Sequence, residues 1–150
     1  MAFEKILVPT DYSVSSRRAL ELAFTLSEAA QVTVVHVWDR PAFVKEEMTV
    51  GYNDGRRHSL SELIRDNAEK EMNEFLAPIS VPAGRRLEHH LVSGDPVTAI
   101  LEEASKPGYQ VLVVGTHGRT GVTKLLLGSV TEKLVRLSPI PVLTVPAGSR

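Results

Sequence analysis

The run Gly115-Thr116-His117-Gly118-Arg119-Thr120-Gly121-Val122-Thr123-Lys124-Leu125-Leu126-Leu127-Gly128-Ser129 is the part of this chain best suited to chemistry. Its glycines allow tight turns and close approach of backbone to a ligand, with no Cβ in the way. Consecutive backbone N–H groups in such a loop form an anion-binding concavity. Ser129-Val130-Thr131-Glu132 has the spelling of a capping box, which predicts a helix beginning just after Gly128. A helix N-terminus presents unsatisfied N–H donors and partial positive charge, and Arg119 and Lys124 add formal charge nearby. These features suit a phosphate group. The competing reading is a glycine loop that merely turns the chain, followed by a routine cap.

The elements around this loop must hold it in place. Residues 4–8 read as a first strand stopped by Pro9, and residues 13–30 as a helix with Ala19, Leu22, Ala23, Leu26 and Ala30 on one face. Val32 to Trp38 is a β-branched strand buried on both faces. Residues 59–77 repeat apolar side chains at spacings of three and four, the pattern of an amphipathic helix that Pro78 ends. Leu87 to Val92 make a third strand, and Asp95-Pro96 supplies an N-cap with proline at the first helical position. Val111 to Val114 is a continuously apolar fourth strand, residues 130–137 a last helix and Val142 to Val145 a last strand. Five strands with helical crossovers predict a parallel sheet covered on both faces, a three-layer α/β sandwich. Residues 39–58 show neither period and read as a long connection, either a binding loop or a surface insertion.

In an open parallel sheet, ligands bind at the carboxyl ends of the strands where strand order reverses. Two connections lie there: the glycine loop and Pro9-Thr10-Asp11-Tyr12-Ser13. Neither spells a P-loop or a dinucleotide fingerprint. A phosphorylated receiver domain would want an acidic pair after strand one and an Asp where Ser93-Gly94 stands. His89 and His90 are adjacent on a strand, so they face opposite ways and cannot share a metal ion. His36 reads as a packed, hydrogen-bonded strand residue.

The 150 residues predict one domain spanning 1–150. With 17 basic and 18 acidic side chains the net charge is −1, which argues against a general nucleic-acid binder. The 36 residues from Gly115 onward nevertheless carry a net +4. No cysteine is present, which excludes a disulfide framework, a thiol nucleophile and any cysteine metal site. That usage fits a reducing cytoplasm. The Ile6-Leu7-Val8 run is too brief for a signal-peptide core, and no stretch approaches the ~18 apolar residues of a membrane span.

Gly115-x2-Gly118-x9-Gly128-Ser129 resembles the signature of the universal stress protein family, in its ATP-binding branch. Ile6-Leu7-Val8-Pro9-Thr10-Asp11, Val35-His36-Val37, Gly94-Asp95-Pro96 and Pro141-Val142-Leu143-Thr144-Val145 resemble the family's other landmarks, so the likeness runs the whole chain. It implies a Rossmann-like sheet of strand order 3-2-1-4-5 and a cytoplasmic, dimeric, nucleotide-dependent regulator of stress responses. It implies ATP as the ligand, with Mg²⁺ carried by the phosphates. Pro9, Thr10 and Asp11 would lie by the adenosine, the backbone of Val37 would read the adenine edge, and Gly115 would pack by the ribose and phosphates. Gly118, Gly128, Ser129, Val130 and Thr131 would line the triphosphate, with Thr116, His117, Arg119, Thr120 and Gly121 in the same loop. Gln110 departs from the family, which often has Asp there. The last strand, Val142, Leu143, Thr144 and Val145, is short, apolar and bracketed by Pro141 and Pro146, which suits one antiparallel partner across a two-fold axis. Two other functions fit the same residues: a slow ATPase or self-phosphorylating enzyme, and a dimeric interaction protein without nucleotide. The absence of an evident general base by the phosphates disfavours the enzyme.

Overall fold

The computed structural model describes residues 2–38, 42–117 and 127–148. In chain order they form β1 (Lys5–Pro9), α1 (Val14–Ala23), β2 (Gln31–Trp38), β3 (Thr49–Gly51), β4 (Arg57–Ser59), α2 (Leu60–Leu76), β5 (Arg86–Ser93), α3 (Pro96–Ala104), β6 (Val111–Gly115), α4 (Ser129–Leu137) and β7 (Val142–Val145). Five strands make one parallel sheet in the order β5-β2-β1-β6-β7, the order 3-2-1-4-5 expected of the five long strands. Alternating strand residues divide the core in two. Ile6, Val8, Val32 and Val34 pack against Leu20 of α1 and Met72 and Phe75 of α2. Leu7, Val35, Leu112 and Val114 pack against Ile100 of α3 and Leu134 of α4. Helices therefore cover both faces, as a parallel sheet requires.

Three local readings need correction. The first helix stops at Ala23 rather than reaching residue 30. Thr25 donates its amide and hydroxyl to the Leu22 carbonyl, and Arg85 donates Nε to the carbonyls of Phe24 and Ser27. These bonds satisfy the helix end where the pattern alone would continue it, while Leu26 still packs on the core. The 39–58 connection holds an antiparallel hairpin, β3–β4, with Thr49 opposite Ser59. Its strands of three residues are too short to show a period, but Asp54-Gly55 is a hairpin turn signal, and Gly55 takes the left-handed φ of 79°. The charge pattern of residues 62–74 suggests an Asp66–Lys70 pair at i, i+4, but Lys70 reaches Glu74 on the next turn instead, at 4.0 Å.

His89 and His90 face opposite ways, as their adjacency predicts. His89 donates to Glu69 of α2 (2.6 Å) and His90 donates Nδ1–H to Glu103 of α3 (2.9 Å), so the edge strand is held from both sides. Glu103 is only 3% exposed. It also accepts from Lys106 Nζ (2.7 Å) and the Tyr109 hydroxyl (3.1 Å). Burial opposes its ionisation, but the bonds from Lys106, His90 and Tyr109 outweigh that and hold its carboxyl below the usual range. Burial next to this carboxylate pushes Tyr109 up to about 12. Because the folded-state pKa of Glu103 is depressed, its contribution is present above the unfolded value and lost as pH falls through the folded one. Glu103→Gln should cost about 1–3 kcal/mol at neutral pH, the range for a hydrogen-bonded buried charge. Urea unfolding should show the gap to wild type closing below the ordinary carboxylate range; a gap that is constant with pH contradicts this.

Candidate functional site

A cavity of about 360 Å³ opens at the carboxyl ends of β1, β2 and β6. That volume is within the range of about 300–1,000 Å³ typical of small-molecule sites. The chain leaves β1 for β2 on one side and β6 lies on the other, so the cavity sits at the switch point of the sheet. Val35, Val37, Val114, Ile100 and Leu134 give it an apolar floor. Pro9, Thr10, Asp11, Gly115 and His117 form the strand-end walls.

Three helix N-termini converge on this cavity, and they differ in one respect. The α1 terminus is capped by Ser13, whose Oγ accepts from the Ser16 amide (3.2 Å). The α3 terminus is capped by Asp95, which accepts from the Thr98 amide and hydroxyl (3.0 Å each). The Thr98 amide, then its hydroxyl, hold the Asp95 carboxyl below its ordinary range. The α4 terminus begins on Gly128 and has no side-chain cap among the described residues. The capping box expected at Ser129–Glu132 is therefore not formed. Ser129 is already the first helical residue, and the Glu132 amide bonds the Gly128 carbonyl (2.9 Å). The N–H groups of Ser129, Val130 and Thr131 thus open the helix at the cavity wall, where a partial positive charge remains.

Of the residues singled out from sequence, Pro9, Thr10, Asp11, Val37, Gly115, His117, Gly128, Ser129, Val130 and Thr131 all line the cavity. Thr116 does not; it is buried behind the wall, its hydroxyl hydrogen-bonded to His117 Nδ1 (2.7 Å) and its carbonyl accepting from the Gly128 amide (2.8 Å). Thr131 spends its hydroxyl on the Gly115 carbonyl (2.8 Å), which ties the first turn of α4 to the end of β6. Gly118, Arg119, Thr120, Gly121 and Lys124 lie outside the described residues. Sequence reasoning gave no site role to Ser13, Ser16, Pro96 or, apart from Val37, the apolar floor. The floor residues carry the same signal as any core residue, whereas Ser13 and Ser16 stood next to Asp11 and were open to notice.

The β1–α1 turn is tied together by its own side chains. The Ser13 amide donates to Asp11 Oδ1 (3.0 Å) and the Tyr12 amide to Thr10 Oγ1 (3.0 Å). Ser16 spends its hydroxyl proton on the Ser13 carbonyl (2.9 Å), so Thr10 donates in the 2.8 Å bond between their oxygens. Tyr12 is the one non-glycine residue of left-handed φ (66°) among the described residues, a conformation that costs about 1–2 kcal/mol. His36 is hydrogen-bonded, as its strand position predicts, with Nδ1–H donating to the Thr10 carbonyl (2.8 Å), and it also lines the cavity.

An open parallel sheet with helices on both faces and a cavity at its switch point defines a Rossmann-like α/β fold. The profile of the Universal stress protein family matches residues 2–146, and the chain belongs to that family. Universal stress protein MJ0577 of Methanocaldococcus jannaschii is 30% identical over 154 residues, covering 95% of this chain and 94% of the relative. Universal stress protein YxiE of Bacillus subtilis is 34% identical over 148 residues, covering 95% and 99%. The solved structure of MJ0577 superposes with a TM-score of 0.74 at 26% identity over the whole of both chains. A universal stress protein solved in complex with cAMP superposes with a TM-score of 0.64 at 25% identity, covering 99% of this chain and all of that one.

Gly115 has a packing reason of its own. A Cβ there would collide with Ser15 Oγ and stand 2.8 Å from the Ser15 carbonyl carbon, so the absent side chain lets α1 close onto β6. Gly115→Ala should destabilise the fold by about 1–3 kcal/mol. Ser15→Gly should not rescue it, because the Ser15 backbone is also in the way. Urea unfolding of the single and double variants measures both; a neutral Gly115→Ala contradicts the packing argument.

Proposed function

We propose that this protein binds ATP in the cavity at the switch point and acts as a dimeric, nucleotide-responsive binding module in the cytoplasm. The observation that carries the reading is the start of α4, without a side-chain cap among the described residues, above an apolar floor: one end of the site suits phosphate and the other a planar base. The cAMP complex of a 25% identical family member supports an adenine nucleotide. In this reading Pro9, Thr10, Asp11 and the Val37 backbone hold the nucleoside. The amides of Ser129, Val130 and Thr131, with Gly128 and the Gly118–Gly121 stretch, hold the phosphates. Mg²⁺ enters with the ATP.

Binding is favoured over rapid hydrolysis. Asp11 is the sole carboxylate among the described lining residues, and it accepts from the Ser13 amide. A nucleotide-free interaction protein would have no use for this pocket. Gly128→Asp separates the roles of the α4 terminus. The φ of −58° and ψ of 151° at this position are ordinary for a capping residue, and Asp is a better cap than Gly by a few tenths of a kcal/mol. The carboxylate would occupy the donors offered to phosphate. Calorimetry should show ATP affinity falling by about tenfold or more, the worth of a charge-assisted hydrogen bond, while the melting temperature holds or rises. Unchanged affinity contradicts the proposed phosphate site.

The dimer is assigned to β7. The other edge, β5, carries Arg86, Glu88, His89 and His90, charged or polar groups of the kind that blunt an edge. Beside β7, α4 exposes Val135 (47%) and Leu137 (57%), which extend an apolar surface. Pro141 and Val145 direct their carbonyls to β6, accepting from Leu112 and Thr116. Strand groups alternate in direction, so Leu143 also faces β6 while Val142 and Thr144 face outward. Thr144→Pro therefore removes an outward donor and spares the β6 ladder. Light scattering should show the wild type near twice the 16.4 kDa chain mass and the folded variant near one. A monomeric wild type at micromolar concentration contradicts the assignment.

A further inference from the structure

Tyr12 stands between the cavity wall and α2 and touches residues of both. It does not line the cavity, but its chain neighbours Asp11 and Ser13 do, and so do Thr10, which accepts its amide, and His36. Its ring lies on the His36 ring, with centroids 4.3 Å apart and planes tilted by 31°. On its other side the ring meets Phe75 of α2 at 5.4 Å, and its hydroxyl donates to the Ala68 carbonyl of α2 (3.4 Å). No residue of α2 lines the cavity.

We propose that Tyr12 is a positioning residue that couples nucleotide occupancy of the cavity to the docking of α2. The inference rests on the nucleotide reading above. A left-handed backbone at a non-glycine residue does not sustain itself; its surroundings must hold it. Here Thr10 and His36 hold it from the cavity side, and Phe75 and Ala68 from the α2 side. When α2 withdraws, the ring loses two of its partners and the turn is released to relax. Asp11 and Ser13, on either side of it, then leave the geometry that shapes the cavity. A ligand that binds only the held geometry stabilises α2 docking by linkage, and the effect is reciprocal.

The second element is of the kind that opens. Of the 17 residues of α2, the buried ones are Ala68, Met72 and Phe75. Leu76 packs beside them, and Glu69 and the Phe75 carbonyl accept from His89 and Arg17, but most of the helix surface stays outside the core, the condition for an element to open ahead of the sheet. Its start is joined to the hairpin segment by the Leu60 amide, which donates to the Met48 carbonyl (2.9 Å). Occupancy of the cavity would thus be reported on a surface remote from the phosphates.

Hydrogen exchange over residues 64–76, with and without MgATP at 100 times each protein's own Kd, tests this. Full coupling slows exchange through α2 opening by up to about 100-fold, from the factor one plus ligand over Kd. Slowing of about tenfold or more is expected in the wild type and in Tyr12→Phe, which keeps the ring. Tyr12→Gly accepts the left-handed φ without strain and loses only the ring. It should bind MgATP more weakly and show less than about twofold slowing. Should Tyr12→Gly not fold, Phe75→Leu breaks the same link from the α2 side with the same expectation. Slowing that survives in the folded variant overturns the proposal and places the link in another contact, such as Arg17 on the Phe75 ring. Calorimetric binding to the wild type without slower α2 exchange overturns the coupling alone. No binding to the wild type overturns the nucleotide reading and the coupling with it.

Discussion

Helix α4 begins on a glycine at the cavity wall, and among the described residues no side chain caps its first amides. A buried or half-buried N–H without a partner costs free energy, so most helices provide a cap. The two neighbouring helices do so with Ser13 and Asp95. A terminus without a side-chain cap at a switch point can be completed by an anion, and the proposed phosphate site rests on that one contrast. The same constraint bears on the glycine: a good capping residue at position 128 would occupy the donors that the proposed phosphate would use.

The rest of the fold keeps that terminus in place. Gly115 lets α1 close onto β6, and Thr131 ties the first turn of α4 to the Gly115 carbonyl. At the cavity edge, a short chain of hydroxyl and amide bonds fixes the turn that carries Thr10, Asp11 and Ser13. At the outer edge of the sheet, His89 and His90 hold β5 to α2 and α3, and Glu103 satisfies three donors in a buried setting. These polar clusters are small, and the valines, isoleucines and leucines of the parallel strands do most of the burying.

Much of this was legible in the sequence because its signals are local. Apolar runs marked the five long strands, the period of residues 59–77 marked α2, and Asp95-Pro96 marked the start of α3. The glycine spacing marked the β6–α4 connection, whose end glycines, Gly115 and Gly128, line the cavity. What the sequence hid depends on distant or competing partners. Arg85 ends α1 from about 60 positions away. Gly128 took the cap that Ser129 appeared, by spelling, to hold. The Glu103 cluster draws on β5, α3 and the segment after it, and no periodicity encodes such a meeting. The hairpin strands, at three residues each, are too short to establish an alternation, and the floor of the cavity is written in the same residues as the core.

The central claim is that α4 receives phosphate, and a ladder of ligands tests it most directly. Calorimetric titration of the wild-type protein with adenosine, AMP, cAMP, ADP and ATP, with Mg²⁺ present and at fixed salt, separates the base from the phosphates. The account predicts that affinity rises along adenosine, AMP, ADP and ATP. The full span should be about tenfold or more, since each charge-assisted hydrogen bond gained is worth that much. Adenosine or cAMP binding as tightly as ATP would contradict it.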